Sequence, residues 1–291
     1  HIFDLLKMKF SFTQFLQLLS KAKEADCVIS TVDTLGLPLL VFKKIGYIKA
    51  DVYFISQGLT NPFEVEELSN WKKACHRGFY NYLLKGAEKV IVLGVGAREA
   101  LYEYLNLPKG KVEVFQYGVD LDFWKSRNTE DEKEYILSVG SDPLRDYETL
   151  LKSTAGKNLH VVTKSLPAVN KKDLTINSDY SHDELRSLYS NAKMVVITLK
   201  NFSQPSGQSA TLQAMACGVP VIVTKTKGFW DPEVFVNGEH CIFVEPYDVA
   251  GLEEVINRLW YNPNLAESLK TNARLIAFRN FIFSKVNEWK F

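Results

Sequence analysis

The chain has 291 residues, of which 46% are apolar and 12% aromatic, which is enough to bury a large core in roughly two domains. Its 35 lysines and arginines nearly balance its 34 aspartates and glutamates. No overall positive field therefore exists to hold a nucleic acid, and no apolar run approaches the ~20 residues of a membrane-spanning helix.

The four cysteines, Cys27, Cys75, Cys217 and Cys241, are far apart and form no C-x-x-C pair. This spacing gives little support to a zinc site or a disulfide framework, so we expect buried thiols in a reducing, cytoplasmic compartment and no bound metal. The chain opens on His1 without a charged leader and apolar stretch, which predicts a truncated or processed end.

Apolar, β-rich runs alternate with helical patterns along the chain, beginning with a helix-like segment at Phe12 to Lys23. Strands that are apolar on both faces predict parallel sheets covered on both sides, and therefore an α/β fold with two Rossmann-like domains. The predicted strands are Cys27 to Ser30, Val52 to Ile55, Val90 to Leu93, Val112 to Phe115, Tyr135 to Val139, Leu159 to Thr163, Met194 to Ile197, Val221 to Thr224 and Cys241 to Val244.

The polar, charge-dense stretch from Asp122 to Glu134 predicts a linker between the domains. We place the first domain at residues 1–128, the second at 129–275 and a final helix at 276–291. The first domain has only four predicted strands, so we expect its first strand or two to be missing from this chain.

The stretch Ser206 to Thr211 opens a helix with a small-residue turn. Free N–H groups at a helix start favour a phosphate, and Gly207 lets a ligand approach the backbone. The alternative is an ordinary N-cap on a core helix.

Four segments resemble, in order, the retaining glycosyltransferases of family four, which have the two-domain GT-B fold. They are "GAEKVIVLGVGAREALYEYLNLPKGKVEVFQYGVDLDFW", "YILSVGSDPLRDYETLLKS", "SGQSATLQAMACGVPVIVT" and "VNGEHCIFVEPYDVAGLEEVINRL". The resemblance implies that the C-terminal domain binds a nucleoside-diphosphate sugar and the N-terminal domain a hydroxyl acceptor. It also implies that the last helix crosses back to the first domain.

The resemblance implies a donor site in the second domain, where Gly207, Gln208 and Ser209 line the diphosphate. Gln213 stands where the family usually has a glutamate that binds the ribose, and Pro205 replaces an earlier glutamate that contacts the sugar. The full set of predicted donor-binding residues is Gly140, Ser141, Arg145, Lys164, Ser206, Gly207, Gln208, Ser209, Thr211 and Gln213.

Two residues are predicted to act in catalysis. Gln57 stands before Gly58 where many members have a histidine, and Arg145 is the cation nearest the turn in which Ser141 replaces the family's arginine. A planar guanidinium suits the oxygens of a leaving diphosphate. The alternative is that Arg145 forms a surface salt bridge to Asp142 or Asp146.

Other motifs have competing interpretations. Gly94 and Gly96 after a strand suggest dinucleotide binding, but the third glycine is absent, so we favour a tight strand-to-helix turn. The segment Ser178 to Tyr180 is predicted either to approach the base or ribose, or to cap the helix that begins near His182.

Cations are interleaved with aromatic and other apolar residues on a predicted helix from Trp71 to Lys85, namely Lys72, Lys73, Arg77 and Lys85 with Trp71, Phe79, Tyr80, Tyr82 and Leu84. This helix is a candidate for contact with the inner face of an anionic membrane, the alternative being a solvated helix that covers the sheet.

The resemblance implies hexosyl transfer to a glycan, lipid-linked or protein acceptor, and the oligomeric state is left open. The alternative is a non-catalytic relative that binds a nucleotide or a partner.

Overall fold

The computed structural model describes residues 12–64, 68–126, 134–166 and 172–281. The chain forms two compact units. The N-terminal unit contains residues 1–115 together with 203–205, and the C-terminal unit contains residues 116–202 together with 206–291. This division falls earlier than the predicted boundary after residue 128, because Val119 and Trp124 pack in the core of the C-terminal unit. The predicted linker therefore begins within that unit, and residues 127–133 lie outside the described residues.

The N-terminal unit is a parallel four-stranded sheet of order β1-β2-β3-β4 with helices between its strands, as predicted. Its described elements are α1 (Phe12–Glu24), β1 (Cys27–Ser30), α2 (Asp33–Lys44), β2 (Asp51–Ile55), α3 (Asn61–Glu64), α4 (Asn70–Leu84), β3 (Lys89–Val92), α5 (Val95–Tyr104) and β4 (Val112–Val114).

Helix α2 packs closely on the sheet because Gly36 has no side chain. A Cβ at this position would lie 2.5 Å from the ring of Phe54 in β2 and from Ser30 Oγ. Helix α2 begins at Asp33, three residues after the end of β1, next to the loop that follows β2.

The C-terminal unit is a parallel six-stranded sheet of order β10-β9-β8-β5-β6-β7. Its described elements are β5 (Ile136–Val139), α6 (Tyr147–Ser153), β6 (Leu159–Val162), β7 (Leu174–Asn177), α7 (His182–Asn191), β8 (Met194–Ile197), α8 (Gln208–Ala216), β9 (Val221–Thr224), β10 (Ile242–Val244), α9 (Val249–Trp260) and α10 (Pro263–Asn280). All residues of β8 and β9 are buried, as expected for central parallel strands covered on both faces.

The two sheets confirm the predicted α/β class with two Rossmann-like units. Strand β7 was absent from the predicted strands, because at the edge of the sheet its residues alternate between half-buried and exposed. Residues 276–280 of the predicted crossing helix form the end of α10, and the next residue, Phe281, stacks on Phe235 at 5.3 Å within the C-terminal unit. The rest of that prediction, residues 282–291, lies outside the described residues.

The expectation of four buried thiols is wrong for two of them. Cys27 and Cys75 are exposed, whereas Cys217 and Cys241 are buried. Cys27 begins a strand at the edge of its sheet, and Cys75 lies on the outer side of α4. Burial raises the pKa of Cys217 and Cys241 to about 12, which keeps both thiols protonated and unreactive.

Candidate functional site

Helix α8 begins directly after Gly207, whose φ of 76° lies in the left-handed region. A Cβ at Gly207 would lie 2.9 Å from Ile197 Cγ2 of the buried strand β8, so glycine is required for both backbone and packing reasons. No side chain caps this helix start. The structure therefore does not support the alternative of an ordinary side-chain N-cap.

The side chain of Arg145 lies beside this helix start. It is only 5% exposed, and its Nη1 would be 3.6 Å from a Cβ placed on Gly207. The Nη1 atom is buried and has no hydrogen-bond partner among the described residues. Because a buried guanidinium nitrogen without a partner is costly, this atom marks a place where an anionic ligand would be stabilised.

Gly140 makes room for the guanidinium of Arg145. It follows β5 with a φ of 151°, and a Cβ there would overlap the terminal atoms of Arg145. The close contact between the arginine and this glycine therefore depends on the absence of a side chain. Tyr147 fixes the same turn by donating its hydroxyl hydrogen to the Gly140 carbonyl oxygen.

Asp142 connects the two sides of this site. Its Oδ2 accepts from Arg145 Nε at 2.7 Å, and its Oδ1 accepts from Ser206 Oγ at 2.8 Å. Arg145 therefore forms the alternative salt bridge predicted with Asp142, but the arginine is buried rather than on the surface. Asp146, the other alternative partner, caps α6 instead by accepting from Thr149 N at 3.2 Å.

Two further predicted donor residues lie at the ends of β5 and β6. Ser141 Oγ accepts from the backbone N–H of Lys164 at 2.8 Å, which ties the two strand ends together. Both residues are exposed, so the ammonium group of Lys164 is a solvated cation on the same edge of the sheet.

The remaining predicted donor residues lie on the first two turns of α8. Gln208 and Thr211 are buried, while Ser209 and Gln213 are half-buried. Thr211 Oγ1 is another buried polar atom without a hydrogen-bond partner in the described part of the chain. Gln213 Oε1 accepts from the hydroxyl of the fully buried Tyr189 at 3.3 Å, so a core residue holds the Gln213 amide in place.

In the N-terminal unit, Gln57 follows β2 at the carboxyl edge of the sheet. It is exposed, and its backbone N–H donates to Asp33 Oδ1 at 3.1 Å. Sequence reasoning did not identify Asp33. A signal was available, because Asp33 and Gln57 both follow neighbouring parallel strands, whose carboxyl ends lie at one edge.

Burial raises the pKa of Asp33 to about 6, and the hydrogen bond from Gln57 N–H lowers it in part. The Asp33 carboxylate in turn helps to raise the pKa of Tyr80, for which burial is the larger cause. Tyr80 is buried and shares a hydrogen bond of 3.2 Å with His76 Nδ1. Asp33 thus titrates closer to neutral pH than an ordinary aspartate.

Residues 203–205 belong to the N-terminal unit. Glu64 binds Ser203 twice, accepting from its backbone N–H at 2.9 Å and from its hydroxyl. Asn61 Nδ2 donates to Gln204 Oε1 at 2.5 Å. Pro205 ends this segment and brings neither a carboxylate nor an N–H group to the position where the resemblance places a sugar-binding glutamate.

Two further motifs make contacts within the described residues. Ser181, rather than the segment Ser178 to Tyr180, caps α7 in a capping box with Glu184. Tyr180 shares a hydrogen bond of 2.8 Å with His160 Nε2. Gly94 precedes α5 in an extended conformation, which gives the predicted strand-to-helix turn.

Within the described ranges, His, Cys, Asp and Glu side chains form no group of three or more that is suited to a metal ion. None of the helices that the structure describes has the length and apolar character needed to cross a membrane.

Comparison with protein families identifies residues 169–276, most of the C-terminal unit, as a match to the family described as glycosyl transferases group 1. The match contains α8 and Gln213 and ends within α10. The comparison with curated protein sequences yields no match.

Solved structures show the same fold over nearly the whole chain. A sucrose-phosphate synthase from Thermosynechococcus elongatus is 18% identical, with a TM-score of 0.76 over 94% of this chain and 74% of its own. Anabaena Alr3699/HepE in complex with UDP and glucose is 14% identical, with a TM-score of 0.78 over 95% and 79%. A glycosyltransferase from Rickettsia africae ESF-5 is 16% identical, with a TM-score of 0.68 over 94% and 78%. The predicted resemblance is confirmed at the level of the group 1 glycosyl transferases, and the GT-B fold is confirmed.

Proposed function

Since residues 169–276 match the family of group 1 glycosyl transferases and the described chain has the GT-B fold, we propose that this protein transfers a hexosyl unit from a nucleoside-diphosphate sugar to a hydroxyl acceptor with retention. The observation that carries the proposal is the buried Arg145, whose partnerless Nη1 lies beside the uncapped start of α8. The C-terminal unit is the donor-binding unit in this proposal.

The donor diphosphate would be held by Arg145 together with the first N–H groups of α8. Negative charge grows on the diphosphate as the sugar leaves, so a fixed cation and a helix N-terminus stabilise the transition state more than the ground state. Nη1 would supply the hydrogen bond that the protein leaves open, while Asp142 keeps Nε in position. This arrangement needs no metal ion.

Transfer forms a bond from the acceptor oxygen to the anomeric carbon and breaks the bond from that carbon to the diphosphate. The hydroxyl proton passes to the leaving phosphate, so a histidine at position 57 is not required. In the N-terminal unit, we assign acceptor binding to the edge that carries Asp33 and the exposed Gln57, with the Asp33 carboxylate accepting from a hydroxyl group.

The similar Anabaena protein was solved with UDP and glucose, and we therefore propose a uridine nucleotide sugar as the first donor to test. The second candidate function is nucleotide binding without transfer. Pro205 favours this alternative, because it removes the carboxylate that would bind the donor sugar.

Calorimetric titration of the full chain with UDP, GDP, uridine and guanosine tests the donor site. We expect binding of one diphosphate, and Arg145→Ala should weaken it roughly ten- to a hundred-fold while leaving the nucleoside nearly unchanged. Arg98→Ala is the matched control, since Arg98 pairs with Glu99 on the surface of the other unit. Equal loss of nucleoside and diphosphate would overturn the assignment of Arg145.

Release of UDP from UDP-glucose, with and without a glycan acceptor, then separates transfer from binding. Detection of the product anomer by NMR tests retention, and addition of EDTA tests the expected independence from metals. Tight nucleotide binding without turnover on any donor would support the non-catalytic alternative.

A further inference from the structure

The outer face of α4 carries four exposed residues at helical spacing, Trp71, Cys75, Gly78 and Tyr82, and continues to the exposed Lys85 directly after the helix. Trp71 and Tyr82 are each 59% exposed, and a Cβ placed on Gly78 would have no neighbour within 4 Å. Two large aromatic side chains therefore project into solvent on the outside of a helix whose opposite side packs in the core.

The aromatic and apolar residues predicted on this helix thus fall into a buried group and an exposed group. Tyr80 and Leu84 are buried and Phe79 is half-buried, so these three serve the core of the N-terminal unit. Core packing does not explain Trp71 and Tyr82, and exposed large aromatic residues in one stripe are typical of a surface that meets a partner.

The charge on α4 is of one sign. No aspartate or glutamate occurs from Asn70 to Lys85, whereas Lys72, Arg77 and Lys85 are exposed cations. Lys72 Nζ lies 5.7 Å from the centre of the Trp71 ring. Lys73 does not belong to this set, because its Nζ donates to the Phe63 carbonyl oxygen at 3.0 Å.

The turn that ends α2 extends this surface. Lys44 Nζ lies 5.0 Å from the centre of the Tyr82 ring, and Ile45 beside it is 69% exposed. Gly46 follows with a φ of 77°, which directs the chain back into β2 and leaves Ile45 at the tip of the turn. The surface therefore combines apolar tips with cations.

We propose that the outer face of α4, together with Ile45, docks on an anionic membrane surface. Tryptophan and tyrosine suit the interface between headgroups and acyl chains. Lys85 on this face, with Lys72 and Arg77 on its two flanks, complements anionic headgroups. Charge complementarity favours an anionic membrane over a second copy of this chain, because two helices that each carry three exposed cations and no carboxylate would repel each other. The proposal does not depend on glycosyl transfer.

Co-sedimentation with vesicles of phosphatidylcholine alone, or with 30% phosphatidylglycerol, at about 0.05 M and 0.5 M salt tests the proposal. Binding is expected only to the anionic vesicles and should fall at high salt. Replacing Lys72, Arg77 and Lys85 by glutamine should weaken binding about five-fold per charge. Trp71→Ala with Tyr82→Ala should weaken it at least ten-fold without removing the preference for anionic lipid.

Matched controls come from the C-terminal unit. Tyr261 is 76% exposed and Phe278 is 61% exposed, so Tyr261→Ala with Phe278→Ala removes two exposed aromatic residues and should leave binding unchanged. Circular dichroism and the unfolding midpoint show whether each variant is folded. If the control pair loses as much vesicle binding as the α4 variants, the docking surface does not lie on α4. Equal binding to both kinds of vesicle would overturn the electrostatic basis of docking.

The two exposed cysteines allow a second measurement. An environment-sensitive fluorophore on Cys75, in a Cys27→Ser background, should shift to shorter wavelength on anionic vesicles, because Cys75 lies between Trp71 and Tyr82 on the outer face. The same fluorophore on Cys27, in a Cys75→Ser background, should not shift. A shift of both labels, or of neither, contradicts docking through α4. A shift that appears without lipid when the protein concentration is raised contradicts it as well.

Discussion

The two units place their candidate residues at the same position in the fold, after the carboxyl ends of parallel strands, but they give that position opposite charge. In the C-terminal unit the edge carries Arg145, buried against Gly140 and beside the start of α8. In the N-terminal unit it carries Asp33, hydrogen-bonded to Gln57 N–H. The fold therefore determines where ligands can bind, and a few side chains determine which charge is favoured there.

Gly140→Ala should have the largest effect on this contrast. The new methyl group would overlap the guanidinium of Arg145 in a backbone conformation that already disfavours alanine, so Arg145 must move. We expect at least a hundred-fold loss of nucleoside-diphosphate affinity by calorimetry and a loss of about 2 to 4 kcal/mol in unfolding free energy.

Gly110→Ala is the matched control for that variant. Gly110 has a φ of 78°, but a Cβ there would meet no atom within 4 Å. The unfolding free energy of Gly110→Ala should fall only by the roughly 1 kcal/mol that backbone strain costs, and its nucleotide affinity should be unchanged. Equal losses of affinity in the two variants would show that backbone strain, not displacement of Arg145, is responsible.

Asp33→Asn tests the role assigned to the acidic edge of the N-terminal unit. Because the pKa of Asp33 is raised from 3.8 to about 6, the folded state binds the proton more tightly than the unfolded state. The ionised carboxylate therefore costs stability, and this cost appears as pH rises from about 4 to about 6. The asparagine variant should be more stable than the wild type above pH 6, by about 1 to 3 kcal/mol, with the two converging below pH 4.

Denaturant unfolding from pH 4 to pH 8 measures this difference. Transfer activity should fall in Asp33→Asn while nucleotide affinity stays unchanged. A variant that loses nucleotide affinity would contradict the division of roles between the two edges.

Much of this architecture could be predicted from sequence, and the reason is hydrophobic pattern. The strands Cys27–Ser30, Met194–Ile197 and Val221–Thr224 have the predicted bounds, because short β-branched runs ended by turns have few alternatives. A short strand is expected before Ser178, but β7 is not among the listed apolar runs because its half-polar pattern resembles a loop. The predicted boundary after residue 128 differs from the division after residue 115 because polarity does not show which core a loop packs on.

The candidate site was predictable only in part. The uncapped start of α8 follows from Gly207 and its neighbours, but the contact between Arg145 and Gly140 depends on a backbone torsion angle that no spacing shows. Asp33 and Gln57 are far apart in sequence, and only the pairing of β1 with β2 brings them together. The roles of the predicted donor residues remain predictions.

Gln213→Glu should have a smaller effect than these changes. The Tyr189 hydroxyl already donates to Gln213 Oε1, and a glutamate would keep that acceptor while restoring the charge that suits ribose hydroxyls. We expect about a ten-fold gain in nucleotide affinity by calorimetry, which corresponds to roughly 1.4 kcal/mol. A loss of affinity would show that the site is adapted to a different donor.

Ser206→Ala should have the smallest effect. It removes one hydrogen bond to Asp142 Oδ1, which still accepts from Leu144 N at 3.1 Å, so diphosphate affinity should fall only about two- to ten-fold. Ser187→Ala removes an exposed hydroxyl that donates to Asp183 O and should have no effect on titration with UDP. A loss as large as that of Arg145→Ala would mean that Ser206 contacts the ligand itself.

The segment 203–205 has a consequence for how this protein can be divided. Because these three residues belong to the N-terminal unit, neither unit is one continuous stretch of the sequence. A fragment that ends at Phe115 would lack the groups that Glu64 and Asn61 bind, leaving a carboxylate and an amide without their partners. A self-sufficient N-terminal fragment would need this tripeptide grafted back.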